Sequence, residues 1–142
     1  MMLLDTNVVS EFMRPSPAEA VVAWLDAQLP GQVWVCAVTR AEIELGVALM
    51  PDGQRKLGLQ RATELMFAEE FVGRCLPFDG RAAACYARIV AARTRLGRPI
   101  SVEDAQIGAI ALAHGLVLAT RNERDFELIE GLSVVNPWQA VP

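Results

Sequence analysis

The sequence predicts an α/β fold in which a parallel sheet is covered by helices on both faces. Hydrophobic residues make up 53% of the 142 residues, and they alternate between short continuous apolar runs and longer segments with helical spacing. A continuous apolar run is typical of a strand that is buried on both faces, as in parallel sheets flanked by helices. A chain of this length buries a core without disulfides or a structural metal, so we expect a single domain spanning residues 1–142.

The lack of a recognisable membrane-spanning or signal segment in the sequence, together with the cysteine usage, indicates a cytoplasmic protein. No apolar run approaches the roughly 18 residues that a membrane-spanning helix requires, and the first residues lack the features of a signal peptide. Cys36, Cys75 and Cys85 are odd in number and widely spaced among apolar neighbours, which fits neither a disulfide framework nor a zinc site. We therefore expect reduced cysteines in the core of a cytoplasmic protein.

The first half of the chain predicts two strands and three helices. They are a buried strand at 1–4, a short helix at 8–13, a helix at 17–27, a buried strand at 33–38 and a helix at 39–50. Asp5, Thr6 and Asn7 mark the end of the first strand, because each favours a turn or a helix start. Thr39 and Glu42 match a capping box, with the threonine as the N-cap of the last of these helices.

The second half predicts three strands and three helices. They are a helix at 54–71, a short strand at 75–78, helices at 81–96 and 102–114, and strands at 116–119 and 133–135. The inward-facing residues of the first helix, by helical spacing, are Leu57, Leu65, Met66 and Phe71. Pro77 cannot donate to a neighbouring strand, so the short strand belongs at a sheet edge. Asp79 and Ser101 are predicted N-caps of the two helices that follow, and Gly115 ends the second.

The charge distribution is more informative than the net charge of −4. Between Gly80 and Val102 there are five arginines and no acidic residue, which predicts a local basic stripe. They are Arg81, Arg88, Arg93, Arg95 and Arg98. The planar guanidinium suits phosphate contacts, although a chain rich in alanine and arginine also fits a GC-rich genome, and the sequence leaves both explanations open.

Four acidic residues are predicted to lie at the same edge of the sheet. Asp5 follows the first strand, Glu42 lies at the helix start after the second, Asp104 lies at a helix start, and Asp125 follows the penultimate strand. Because the carboxyl ends of parallel strands meet at one edge of a sheet, we expect these side chains to converge. Oxygen ligands without histidine or cysteine select a hard cation such as Mg²⁺ or Mn²⁺. Carboxylates that hold such ions are what metal-assisted phosphodiester hydrolysis requires.

Helix capping is the alternative explanation for each acid taken singly. Asp5 and Asp125 can each cap the segment that follows, and Glu42 and Asp104 fit capping boxes, each contributing only about 1 kcal/mol. Capping does not explain why four such residues fall at the same end of the predicted fold. His114, the only histidine, lies at a helix C-terminus, where a structural role is expected.

Five motifs occur in order along nearly the whole chain. They are Leu3-Leu4-Asp5-Thr6-Asn7, Thr39 to Glu42 followed by Glu44 and Gly46, Gly97-Arg98-Pro99-Ile100 leading to Asp104-Ala105-Gln106-Ile107-Gly108-Ala109, Ala119-Thr120-Arg121-Asn122 with Asp125-Phe126, and Asn136-Pro137-Trp138. This ordered set resembles the PIN domain, and most closely the VapC-type and FitB-type toxin ribonucleases of bacterial toxin-antitoxin modules.

The resemblance implies a three-layer α/β/α sandwich, with a parallel sheet of four to five strands, that binds Mg²⁺ or Mn²⁺ and cleaves RNA. The implied metal ligands are Asp5, Glu42, Asp104 and Asp125, and the implied supporting residues are Thr6, Asn7, Thr120 and Asn122. Many relatives carry an acid directly after the threonine of the penultimate strand, so Asn122 and Asp125 both remain open as the fourth ligand.

The same resemblance implies partners. They are an RNA substrate, a small cognate antitoxin and a second copy of the chain in a homodimer. Arg81, Arg98 and Arg121 are the candidate RNA contacts. The alternative is a catalytically silent PIN-like module that binds RNA or a partner without cutting.

Overall fold

The computed structural model describes residues 1–139, so the last three residues of the expected domain lie outside the described residues. Its strands form one five-stranded sheet in the order β3-β2-β1-β4-β5, and every pair is parallel. The strands are β1 (Met2–Leu4), β2 (Val33–Cys36), β3 (Cys75–Leu76), β4 (Val117–Ala119) and β5 (Val134–Val135). The predicted parallel sheet is confirmed, with β3 at an edge as Pro77 indicated.

Six α-helices flank this sheet in the described part of the chain. They are α1 (Thr6–Phe12), α2 (Glu19–Asp26), α3 (Ala37–Ala48), α4 (Gln54–Leu65), α5 (Gly80–Arg95) and α6 (Val102–Ala113). A π-helical turn (Met66–Glu70) extends α4, and a 3₁₀ helix (Glu123–Phe126) lies between β4 and β5. None of the helices within residues 1–139 is long and apolar enough to cross a membrane.

The central strand β1 divides the core into two layers. Successive side chains of a strand point to opposite faces of its sheet. Accordingly, Leu3 packs in one cluster with residues of α5 and α6, whereas Leu4 packs in another with residues of α1, α2 and the π-helical turn. Both leucines are at most 1% exposed. The sheet is therefore covered on both faces, and the predicted α/β/α sandwich is confirmed.

The chain order places a crevice at the carboxyl ends of β1 and β4. From β1 the chain moves outward through β2 to β3, and then returns to add β4 on the other side of β1. Leu4 pairs with Ala119 in register, and the Asp5 N–H donates to the Ala119 carbonyl at 2.9 Å. Ligands of open α/β sheets bind at this kind of switch point. Asp5 and Thr120, the next residue of each strand, face it together.

The predicted capping box at Thr39 is wrong. Helix α3 begins at Ala37, and its N-cap is Cys36, three residues before the predicted N-cap, with no side-chain capping bond. Thr39 is fully buried inside the first turn, and its hydroxyl contacts Thr6 and Cys36, so it is not available to a helix terminus. Glu42 consequently lies in the second turn of α3, where capping does not explain it.

The predicted inward face of α4 is partly wrong. Met66 is buried at 8% exposure, but Leu57 and Leu65 are 56% and 49% exposed. Thr63 and Phe67 occupy the inward positions instead. The inward face follows helical spacing through Leu59, Thr63 and Met66, so the error lies in choosing the face that contains Leu57.

The later helix boundaries agree with the predicted caps. Asp79 accepts a hydrogen bond from the Ala82 N–H at 3.0 Å, and Ser101 accepts one from the Asp104 N–H at 3.2 Å. Gly115 follows α6 with a φ of +65°, a left-handed conformation that glycine adopts without a steric penalty.

The three cysteines are free thiols, as predicted. Cys36 and Cys85 are buried and Cys75 is half-buried. Burial raises the pKa of the Cys36 and Cys75 thiols, which favours the protonated form of both.

Candidate active site

Asp5 is a buried carboxylate held by three hydrogen bonds. It is 4% exposed. Its Oδ1 accepts from the Thr6 N–H at 2.8 Å, and its Oδ2 accepts from the Thr120 hydroxyl at 2.7 Å and from the Asn7 amide at 3.1 Å. Asp5 does cap α1, but that role uses only one oxygen. The other oxygen is fixed across the crevice between β1 and β4.

Thr120 joins the ends of these two strands. Its side chain is fully buried, and its Oγ1 accepts from the Asn122 N–H at 3.1 Å and from the Asn7 amide at 3.3 Å while donating to Asp5. Asn7 in turn accepts from the Arg121 N–H at 3.2 Å. Asn7 and Thr120 thus orient the Asp5 carboxylate.

The hydroxyls of Thr39 and Thr6 form a hydrogen-bonded chain from the interior to Glu42. Glu42 is exposed on α3, and its Oε1 accepts from the Thr6 hydroxyl at 2.7 Å. The Thr6 Oγ1 also lies 3.1 Å from the Thr39 Oγ1. Since a hydroxyl carries one proton, Thr39 donates to Thr6, and Thr6 donates to Glu42. Sequence reasoning missed this role of Thr39. The available signal was its position three residues before Glu42, on the same helix face.

Asp104 shares an electrostatic field with the other three acids. It is half-buried in the first turn of α6, and its pKa is raised to about 6. Burial is the largest cause, followed by the negative charge of Asp5, with smaller contributions from Asp125 and Glu42. The hydrogen bond with Ser101 acts in the opposite direction.

The pKa of Asp5 is also raised. The cause is again burial, which the bonds from Thr120, Thr6 and Asn7 partly offset, and the charge of Asp125 adds to the rise. Four residues that are far apart in sequence therefore act on one another at the carboxyl end of the sheet.

The fourth acid lies on the 3₁₀ helix that follows β4. Asp125 is exposed, and its charge raises the pKa of both Asp5 and Asp104. Asn122 contributes its backbone N–H to Thr120, and its side chain is exposed at the N-terminus of the same 3₁₀ helix.

The donor set fits a hard divalent cation in charge and chemistry. The side chains are carboxylates, and such oxygen ligands select Mg²⁺ or Mn²⁺ over softer metals. Among residues 1–139, no three carboxylate, histidine or cysteine side chains lie close enough together to hold one ion as they stand.

Two of the three arginines predicted to contact RNA lie on the same side of the fold as Asp125. Arg121 follows Thr120, and its guanidinium lies 4.9 Å from the ring centroid of Trp138. Arg98 precedes α6, and one of its Nη atoms lies 3.5 Å from the carboxylate of Glu127. Both side chains are exposed.

The predicted basic stripe is not continuous. Arg81 donates to the Ala113 carbonyl at 2.7 Å, at the C-terminal end of α6 and about 14 Å along the helix from Asp104, at about 1.5 Å per residue. Arg93 is 4% exposed and bonded only to backbone carbonyls. Sequence reasoning counted Arg93 with the surface arginines, because spacing alone does not distinguish a buried helix face from an exposed one.

A groove of about 620 Å³ lies between α1, α3 and α4, and Glu42 is the one of the four acids that lines it. Thr6, Arg14 and Arg55 also line it. Much of the remaining wall is apolar, formed by Met13, Ile43, Val47, Met50 and Leu59. This mixed lining is suited to a ligand with both charged and apolar groups.

Known proteins are similar to this chain in sequence and in fold. The PIN domain family matches residues 2–132. The chain is 44% identical over 138 residues to Toxin FitB of Neisseria gonorrhoeae, covering 97% of this chain and 99% of that protein. It is 41% identical over 139 residues to VapC ribonuclease Y4jK of Sinorhizobium fredii, covering 98% and 99%. The solved structure of FitAB bound to a DNA fragment contains a chain with a TM-score of 0.91 and 42% identity, covering 100% of this chain and 99% of that one. The chain therefore belongs to the PIN domain family, in the group that includes the VapC and FitB toxins.

Proposed function

We propose that this protein is the toxin of a type II toxin-antitoxin module and a metal-dependent endoribonuclease that hydrolyses phosphodiester bonds in RNA. The whole chain, residues 1–142, acts as a single PIN domain. The observation that carries the proposal is the coupling of Asp5, Glu42, Asp104 and Asp125 at the carboxyl end of the sheet. Relatives that match almost the full length of the chain also support the proposal, because one is named a ribonuclease and another a toxin.

The proposed cofactor is Mg²⁺ or Mn²⁺. Asp5, Glu42 and Asp104 would hold the ion with Asp125 as the fourth acid, which is favoured over Asn122 because its charge acts on both Asp5 and Asp104. A bound ion of this kind activates a water molecule and neutralises the charge that develops on the phosphate.

The remaining residues of the site orient the carboxylates through hydrogen bonds. Thr120 and Asn7 fix one oxygen of Asp5, and Thr6 fixes one oxygen of Glu42. Side chains that orient metal ligands in this way reduce the reorganisation that binding requires. These residues therefore act on the reaction through the ligands they hold.

The groove beside Glu42 offers a path for single-stranded RNA. Arg14 and Arg55 can meet phosphate groups there, while apolar walls accept base surfaces. Arg98 and Arg121 are proposed phosphate contacts on the other side of the acids. A cytoplasmic location follows from the proposed substrate.

The proposed protein partners are a small antitoxin and a second copy of the chain. The antitoxin is supported by the likeness to the solved FitAB assembly. A homodimer is supported by Leu45 and Leu49, which are 59% and 76% exposed one turn apart on α3. The alternative of a silent binding module is less well supported, because all four acids are present and the relatives include a named ribonuclease.

RNA cleavage with matched variants tests the proposal. The purified protein should cut single-stranded RNA in Mg²⁺ or Mn²⁺ and stop when EDTA is added. Asp5→Asn and Asp104→Asn should retain the circular dichroism spectrum of the fold but lose cleavage. Glu44→Gln is the control, because Glu44 lies on the same helix as Glu42 but pairs with Arg40. Cleavage that persists in EDTA and in both variants would overturn the proposal.

A further inference from the structure

Arg93 is a buried cation that bonds to three backbone carbonyls. It lies on α5 and is 4% exposed. Its Nε donates to the Arg98 carbonyl at 2.8 Å, and one Nη donates to the carbonyls of Asp125 and Glu127, both at 3.0 Å. Within residues 1–139, no carboxylate forms an ion pair with it. Burying a charge without a counter-charge is costly, so this position calls for an explanation.

Two of the three carbonyls belong to the segment that carries Asp125. They lie on either side of Phe126, whose side chain is 2% exposed and anchors the 3₁₀ helix from the apolar side. The other main-chain bonds of this helix are internal: the Asp125 N–H donates to the Asn122 carbonyl at 3.1 Å, and the Glu127 N–H donates to the Arg124 carbonyl at 3.4 Å. The exposed ion pair of Arg98 with Glu127 joins side chains and does not bond to the main chain. Arg93 therefore supplies the polar anchor of this short helix.

The residue after Glu127 is Leu128, and its backbone indicates that the segment is held in a conformation it would not adopt alone. Leu128 has a φ of +63°, a left-handed conformation that is unfavourable for a residue with a side chain. Its side chain is 56% exposed, so burial of that side chain does not offset the strain. The bonds from Arg93 to the preceding carbonyls hold the backbone where this strained turn begins.

We propose that Arg93 is a positioning residue for Asp125. Its guanidinium fixes the main chain on both sides of Phe126, and this sets where the Asp125 carboxylate stands relative to Asp5 and Asp104. The inference rests on the proposed function, in which Asp125 belongs to the metal site.

The test measures Mn²⁺ binding to the RNA-free protein by electron paramagnetic resonance. Arg93→Lys keeps the charge but loses the planar fork, which bonds the Arg98 carbonyl through Nε and the Asp125 and Glu127 carbonyls through one Nη at the same time. We expect it to weaken Mn²⁺ binding about tenfold, the range seen when groups that orient metal ligands are replaced. Arg95→Lys, the same change at an exposed position of α5, should bind Mn²⁺ like the unmodified protein.

A double-mutant cycle separates positioning from general structural damage. In an Asp125→Asn background, Arg93→Lys should cause no further loss of Mn²⁺ affinity, because the ligand it positions is already gone. In the metal-free protein, Arg93→Lys should also speed hydrogen exchange of the amides at 125–127 while the strands keep their protection. An equal loss of affinity with and without Asp125 would overturn the inference, as would unchanged binding in Arg93→Lys. A parent protein that binds no Mn²⁺ would instead overturn the proposed function, and this inference with it.

Discussion

The fold places Asp104 where burial and neighbouring negative charges disfavour its charged form. Its pKa of about 6 in the folded protein exceeds the value of 3.8 for a free aspartate. A raised pKa means that the fold disfavours the charged form, so this group lowers stability above pH 6 and has no such effect below about pH 4. A site that is destabilised by its own charges is typical of functional residues.

Asp104→Asn should therefore stabilise the metal-free protein at neutral pH. We expect its melting temperature in EDTA at pH 7.5 to exceed that of the parent by a few degrees, about the shift that 1 kcal/mol causes in a domain of this size. The difference should shrink as the pH falls through 6 and vanish near pH 4, where the aspartate is neutral. Thermal melts across this pH range measure it, and a variant that melts earlier at pH 7.5 would contradict the account.

Thr120→Val should weaken the proposed metal site with a modest cost in stability. The change removes the hydroxyl that donates to Asp5 and leaves the Asn122 N–H without its acceptor. We expect a loss of about 10- to 100-fold in Mn²⁺ affinity and a decrease of about 1–3 kcal/mol in the free energy of unfolding. Calorimetric titration and urea denaturation measure the two effects.

Thr94→Val is the matched control for this change, since Thr94 is exposed on α5. It should alter neither quantity appreciably. Thr120→Val with unchanged Mn²⁺ affinity would show that the hydroxyl does not orient the carboxylate.

Individual site residues were predictable where one local rule fixed them. Asp5 follows an apolar run, so the rule about strand ends located it from sequence alone. The position of Thr39 three residues before Glu42 was a signal for its role, but the same sequence context also fits an N-cap. Only the tertiary approach of α1 to α3, which brings Thr6 against Thr39, decides between the two.

Helix α4 and its π-helical extension show how local geometry decides which residues are buried. Leu65 and Met66 are neighbours in the sequence, yet they are 49% and 8% exposed. A change to alanine at each position therefore compares surface with core in one element.

Met66→Ala should cost about 2–5 kcal/mol, as for other large apolar side chains removed from a core. Leu65→Ala should cost about 1 kcal/mol or less, because much of its side chain remains in water. Urea denaturation of both variants measures the difference. Equal costs would mean that Met66 and Leu65 do not differ in burial in solution.

At the level of elements, the sequence predicted the number and type of helices and strands far better than their boundaries. Apolar runs and the caps at Asp79 and Ser101 are local signals, and the structure agrees with them. The start of α3 and the π-helical turn depend on contacts between elements, which periodicity does not encode.

The whole molecule brings residues 5 and 125 to one edge through its strand order. The sheet places β1 between β2 and β4, so segments from both halves of the chain meet at the same crevice. The strand pattern predicted a parallel sheet with the acids at its carboxyl edge, and the resemblance implied four to five strands, but neither gave the strand order. That order, which brings Asp5 beside Thr120, became known only from the fold.

The proposed homodimer makes its own prediction. Leu45→Glu places a charge on the exposed face of α3 and should convert a dimer into a monomer, measured by light scattering after size exclusion. Leu96→Glu is the control, because Leu96 is 58% exposed at the end of α5. A Leu45→Glu protein that remains as dimeric as the control would place the interface elsewhere.

The central claim is that four coupled acids form one cation site that cuts RNA. The most direct test strips the protein with EDTA, removes the chelator by dialysis, and then titrates Mn²⁺ back while recording bound Mn²⁺ and RNA cleavage in the same samples. We predict that the two rise together in the parent protein and that both are lost in Asp104→Asn. RNA cleavage by the stripped parent protein at its full rate, before any Mn²⁺ is added, would contradict the account.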